Sequence, residues 1–166
     1  ALEDGTLDVV ATDHAPFAAA EKEAARGDIL AAPPGHPGVE YLVPLIVGEA
    51  LEGRLPIERA VELISTQPAR LFGLFPRKGV VWPGADADLT IYDPRSDTTL
   101  RRGEGYSNAA DCNLLYDGRT VRGHVHATVL AGKVVYADGE VLGAPGDGEV
   151  LVPTRTTRRE PEVEGA

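Results

Sequence analysis

The chain has 166 residues, 43% of them hydrophobic, and a formal net charge of −10. That balance suits a soluble globular protein and speaks against nucleic acid or an anionic membrane as partner, since both are held by clustered Lys and Arg. Cys112 is the one cysteine, which excludes an internal disulfide, no apolar run approaches the roughly 20 residues of a membrane span, and the cytoplasm is the expected location. With no methionine, no leader and a strand-like run close to residue 1, the chain is expected to be the later part of a longer protein.

Asp8 to Phe17 is an apolar run, rich in β-branched residues at Val9, Val10 and Thr12, that ends in Asp13, His14 and Pro16. It reads as a buried strand stopped by the proline, with Asp13 at its C-terminal end, where parallel-barrel enzymes place their chemistry. From Ala15 to Gly38 a polar, alanine-rich loop is expected. It closes in Ala32-Pro33-Pro34-Gly35-His36-Pro37-Gly38, which cannot be helix or central strand. A loop of that length is either functional, as a lid or substrate contact, or a surface excursion.

Leu42, Leu45, Ile46 and Ala50 recur at helical spacing, with Pro44 in the first turn and Gly53 beyond the end. A second helix is expected from Pro56 to Ile64, and a third, capped at Thr66 and closed by Gly73, over Thr66 to Leu74. After Gly79 short β-branched runs alternate with Gly and Asp, the pattern of strands and tight turns. Strands are expected at Val80 to Trp82, Asp88 to Tyr92, Val121 to Leu130 and Lys133 to Tyr136, with turns at Ala131-Gly132 and Asp138-Gly139.

Three blocks together carry a resemblance: Thr12-Asp13-His14-Ala15-Pro16, then Ser65 to Leu74, then Gly84-Ala85-Asp86-Ala87-Asp88-Leu89. In this order they resemble the cyclic-amide branch of the amidohydrolase superfamily. Asp13 to Pro16 with Glu21-Lys22, then Ala32-Pro33-Pro34-Gly35, Gly38, Glu40 and Pro44-Leu45, looks like the eighth-strand segment and following loop of dihydroorotase. The resemblance implies an α/β fold. It would be the C-terminal part of a (β/α)8 metal-dependent hydrolase barrel plus a small β-sandwich subdomain. Residues 1–78 are then the last barrel strand, substrate loop and helices, 79–152 the β-rich subdomain, and 153–166 a mobile tail.

The same resemblance implies ring opening of a cyclic amide with one or two divalent metal ions, usually zinc. The expected substrate is dihydroorotate, in pyrimidine biosynthesis. Asp13 is expected to bind metal and shuttle the proton, and Pro34 and Gly35 to meet the substrate's ring amides through main-chain groups. The full-length protein is expected to be a homo-oligomer acting on a small molecule, and residues 1–166 alone to be inactive. A non-catalytic scaffold relative is the alternative of another class.

Phe17 departs from the dihydroorotase pattern, which has a histidine for the substrate carboxylate at that position. A phenyl ring offers no charge-assisted contact, worth roughly 1.5–3 kcal/mol, and suits an uncharged ring. That favours hydantoinase or dihydropyrimidinase as the alternative, with allantoinase a further relative. His124-Val125-His126 mimics a metal-binding His-x-His pair but lies in the β-rich part, so a surface or packing role is expected. Asp86 and Asp88 are expected to be structural, Trp82 and Phe72 core, and Cys112 a bystander thiol.

Overall fold

The computed structural model describes residues 1–153; of the tail expected over 153–166, all but Pro153 lies outside the described residues. Helix α1 is one short turn, Ala19–Glu23, inside what the sequence reads as an unbroken loop. Its entry is fixed by Glu21, whose carboxylate accepts the Ala18 N–H at 2.7 Å.

A 3-10 turn, Val39–Tyr41, leads into α2, Leu42–Leu51. The helix ends where expected, with Gly53 at φ 76 just beyond. It is apolar on two sides because it packs against two cores. Leu45 joins Tyr41, Leu100, Val121 and Tyr116 under the sheet. Ile46 and Ala50 join Leu55, Ala60, Leu63, Leu2, Val10 and Ile64 among the helices.

The second and third expected helices are one helical rod. α3, Ile57–Val61, passes through a π-turn, Glu62–Thr66, into α4, Gln67–Leu71. Thr66 is helical, at φ −64 and ψ −48, and does not cap. Its hydroxyl donates to the Gly79 carbonyl at 2.8 Å instead. Pro68 needs no N–H partner where the ladder is already displaced by the π-turn, so the proline restarts the helix without breaking it. Gly73, at φ 68, closes the rod as expected.

Four strands form one antiparallel sheet in the order β1-β2-β3-β4: Leu89–Thr99, Thr120–Leu130, Lys133–Ala137 and Glu140–Val141. Both connecting turns have positive φ at their two central residues, Ala131 and Gly132, then Asp138 and Gly139, the geometry that matches strand twist in two-residue hairpins. β1 pairs with β2 through register shifts between Ile91 and Tyr92 and between Asp93 and Asp97. There Tyr92, its phenol pushed up to about 12 by burial, donates to the Arg122 carbonyl at 2.8 Å.

Several expectations give way. Val80 to Trp82 is not a strand, and Trp82 and Phe72 are exposed rather than core, at 57% and 64%. The run from Asp8 to Phe17 makes no sheet ladder among the described residues. Its Val10 N–H donates to the Leu63 carbonyl at 3.1 Å, and His14 forms an isolated parallel bridge with His36. β-branched residues favour extension, but a strand also needs a neighbour of matching register. The β-rich part accordingly shows one sheet rather than two.

Candidate functional site

Asp13 stands where the extended run turns. Its φ of 47 lies in the left-handed region, which aspartate tolerates better than most residues. The side chain is exposed and makes no hydrogen bond or ion pair among the described residues. Its neighbour His14 is turned to the loop: Nδ1 accepts the N–H groups of Gly38 and Val39 at 3.1 and 3.2 Å. That imidazole caps the helical entry and pins the segment carrying Asp13 to α2.

The proline-rich turn folds back on the same segment. The Ala15 N–H donates to the His36 carbonyl at 3.2 Å. Gly35, at φ 126, lies so close that a Cβ there would stand 2.5 Å from Ala15 Cβ. Only glycine permits this approach. Lys22, on α1, donates from Nζ to the Pro33 and Gly35 carbonyls at 3.2 and 2.8 Å. The same ammonium lies 6.0 Å from the centre of the half-buried Phe17 ring. No donor among the described residues reaches the exposed Pro34 carbonyl. Asp13, Phe17, Pro34 and Gly35 thus belong to one local assembly, with Lys22 as the clamp.

The β-rich part grips this loop from the other side. The Asp111 carboxylate accepts the Ala19 N–H at 3.3 Å, and that of Glu40 accepts the Tyr106 and Ser107 N–H groups at 3.0 and 3.2 Å. His36, without a partner by sequence, packs edge-on against Tyr116 with ring centres 5.4 Å apart. Asn113, fully buried, lies under the same rings. No motif marks Asn113 or Tyr116, whose partners lie across most of the chain.

The remaining sequence candidates stay outside the assembly. His124 Nδ1 lies 3.1 Å from Ser96 Oγ, and His126 Nδ1 lies 2.8 Å from Asp138. Asp86 and Asp88 share the Lys78 ammonium, and Asp88 also accepts the Ala131 N–H at 2.7 Å. That ties the start of β1 to the β2–β3 turn. Cys112 is buried. Among the described residues no three His, Cys, Asp or Glu side chains come together as a metal-binding group, and no helix is long and apolar enough to cross a membrane.

Residues 1–135 match the amidohydrolase family. The chain is 39% identical over 164 residues to the D-phenylhydantoinase of Escherichia coli O1:K1 / APEC, covering 98% of this chain and 34% of that protein. A D-hydantoinase structure superposes with a TM-score of 0.83 at 34% identity, over 90% of this chain and 33% of that one. The dihydropyrimidinase from Brevibacillus agri NCHU1002 gives 0.86 at 30% identity, over 95% and 34%. The chain thus spans about a third of the length of these relatives. Its fold is the C-terminal part of their (β/α)8-barrel architecture. The hydantoinase and dihydropyrimidinase names overturn the dihydroorotase expectation and the pyrimidine-biosynthesis role attached to it. The loop motif is shared across the branch, and Phe17 was the residue that discriminated.

Proposed function

The chain belongs to the amidohydrolase family, and on that premise we propose that it is the part of a hydantoinase- or dihydropyrimidinase-type hydrolase that carries the proton-transferring carboxylate and the substrate loop. The substrate class is an uncharged five- or six-membered cyclic amide. The observation that carries this is Asp13 and Phe17 on one segment, closed by the Lys22-clamped turn. An apolar ring stands where a carboxylated substrate would need a cation, and the nearby Lys22 ammonium is directed to two carbonyls.

Members of the family are generally metal-dependent. An exposed carboxylate with no protein hydrogen bond is a suitable metal donor, and Asp13 fits as one of the three or four that a zinc-like ion requires. A bound divalent ion would polarise the scissile carbonyl and lower the pKa of water to about 7. Asp13 takes the proton from the attacking water and gives it to the ring nitrogen as the C–N bond breaks and the C–O bond forms. The free Pro34 carbonyl accepts a ring N–H. Phe17 covers the apolar edge of the ring and keeps water from it.

The test is ring opening of dihydrouracil, hydantoin and dihydroorotate by the full-length protein with divalent metal. Turnover of the two uncharged rings is expected, with Asp13→Asn lowering kcat by at least about 10²-fold. Equal or better turnover of dihydroorotate, or an active Asp13→Asn variant, would overturn it.

A further inference from the structure

Three buried side-chain atoms have no hydrogen-bond partner among the described residues: His36 Nε2, Tyr41 Oη and Asn113 Nδ2. They occur together. The rings of His36 and Tyr41 both pack on Tyr116, at 5.4 and 5.5 Å between centres, and Asn113 Oδ1 accepts the Tyr116 N–H at 3.3 Å. Asn113 has no solvent exposure at all. A buried polar atom left unpaired costs about 1–3 kcal/mol, so three in one place mark a network one small shift or one water short of closure.

Donor chemistry leaves one arrangement that satisfies all three. With one Oδ1 lone pair on Tyr116, the second accepts a proton from His36 Nε2, and the amide nitrogen donates to Tyr41 Oη. The electrostatics agree in sign. Burial lowers the pKa of His36 and Asn113 opposes it, as an acceptor does. Burial and the Glu40 charge raise that of Tyr41 while Asn113 opposes them, as a donor does.

We propose that Asn113 is a positioning residue for the substrate loop: its carboxamide bridges His36 Nε2–H and Tyr41 Oη, directly or through one buried water, and so fixes the Gly35–His36 turn against Ala15. His36 is the residue through which that hold reaches the site, because its carbonyl accepts the Ala15 N–H, two residues beyond Asp13. The term substrate loop rests on the function proposed above; the bridge itself does not.

Three readouts on the full-length protein test this. Nitrogen NMR of the wild type should find neutral His36 protonated on Nε2; the Nδ1–H form would overturn the bridge without any variant. Asn113→Leu keeps the volume and removes the hydrogen bonds. It should speed hydrogen exchange of the Gly35, His36 and Gly38 amides at least tenfold relative to those of β2 and β3. Unchanged relative exchange would overturn the proposal. On a cyclic amide, Asn113→Leu should lower kcat/KM at least tenfold, chiefly through KM, and unchanged kinetics would refute the link to the site. If the wild type opens no ring, the proposed function fails, while the tautomer and the exchange still decide the bridge.

Discussion

Gly35→Ala probes the contact between the substrate loop and the catalytic segment most directly. The added Cβ would stand 2.5 Å from Ala15 Cβ and 2.6 Å from Ala15 O, where non-bonded carbons prefer about 3.5–4 Å. The turn must therefore back away by roughly 1 Å. That movement pulls on the Ala15 N–H bond to His36 O, 3.2 Å long, and on the 2.8 Å bond from Lys22 to Gly35 O. An L-residue at φ 126 adds about 1–3 kcal/mol of strain, and one lost backbone hydrogen bond adds about 0.5–1.5 kcal/mol. The local arrangement should be destabilised by about 2–4 kcal/mol on those two terms. A 1 Å misplacement near reacting groups is worth about 10²-fold in rate, so steady-state assays of the full-length protein on dihydrouracil and hydantoin should show kcat/KM down by about that factor. Gly53→Ala is the control, since φ there is 76 with nothing within 4 Å. It should cost about 1–2 kcal/mol of stability and leave kcat/KM unchanged. A Gly35→Ala protein within threefold of wild type would refute the close-approach argument.

Phe17→His exchanges an apolar cover for a hydrogen-bonding ring. It should lower kcat/KM on dihydrouracil at least tenfold, from the roughly 1.5–3 kcal/mol that burial of a phenyl ring contributes; a gain on that substrate would show that Phe17 does not face it. Lys78→Met should remove an acid-sensitive part of the fold. The Asp86 carboxyl is held below its ordinary 3.8 by Lys78 and then Arg77. Burial pushes Asp88 up, but Lys78 and the Ala131 amide outweigh it, and its pKa is lowered too. Depressed carboxyl pKa values contribute stability above the unfolded value that fades as pH falls through the folded ones. The Lys78→Met deficit, measured by chemical denaturation, should therefore be full at pH 7 and shrink below 3.8; an equal deficit at pH 3 would contradict it.

What the sequence revealed tracks how local each feature is. α2 and the two hairpins follow from spacing, Gly53 and the Ala131-Gly132 and Asp138-Gly139 pairs, all within a few residues of the structure they shape. The segment before Asp13 and Val80 to Trp82 have strand composition without a strand's neighbours, and composition cannot report a missing neighbour. Trp82 and Phe72 misled for a related reason. Phe72 borders an apolar hollow with Val61 and Val81, a surface whose exposure depends on shape rather than residue type. Asp13, Phe17, Pro34 and Gly35 were legible because a motif marks them. Lys22's clamp, His36, Tyr41 and Asn113 were not, since their roles arise only when residues 102–116 fold over the loop.

The π-turn in the rod from Ile57 to Leu71 fixes more than a local irregularity. At about 100° per residue, positions 60 and 69 of a regular helix would point to opposite sides. The one extra residue absorbed by the wide turn brings them within roughly 80° of each other. Ala60 can then face the helical core while Ala69 backs onto Gly79, where a Cβ would come within 2.6 Å. The rod thus runs in two phases, and its length is part of its code. Deleting one residue anywhere between Glu62 and Thr66 would act as a frameshift in three dimensions, sending everything after it to the wrong face while leaving each side chain unchanged.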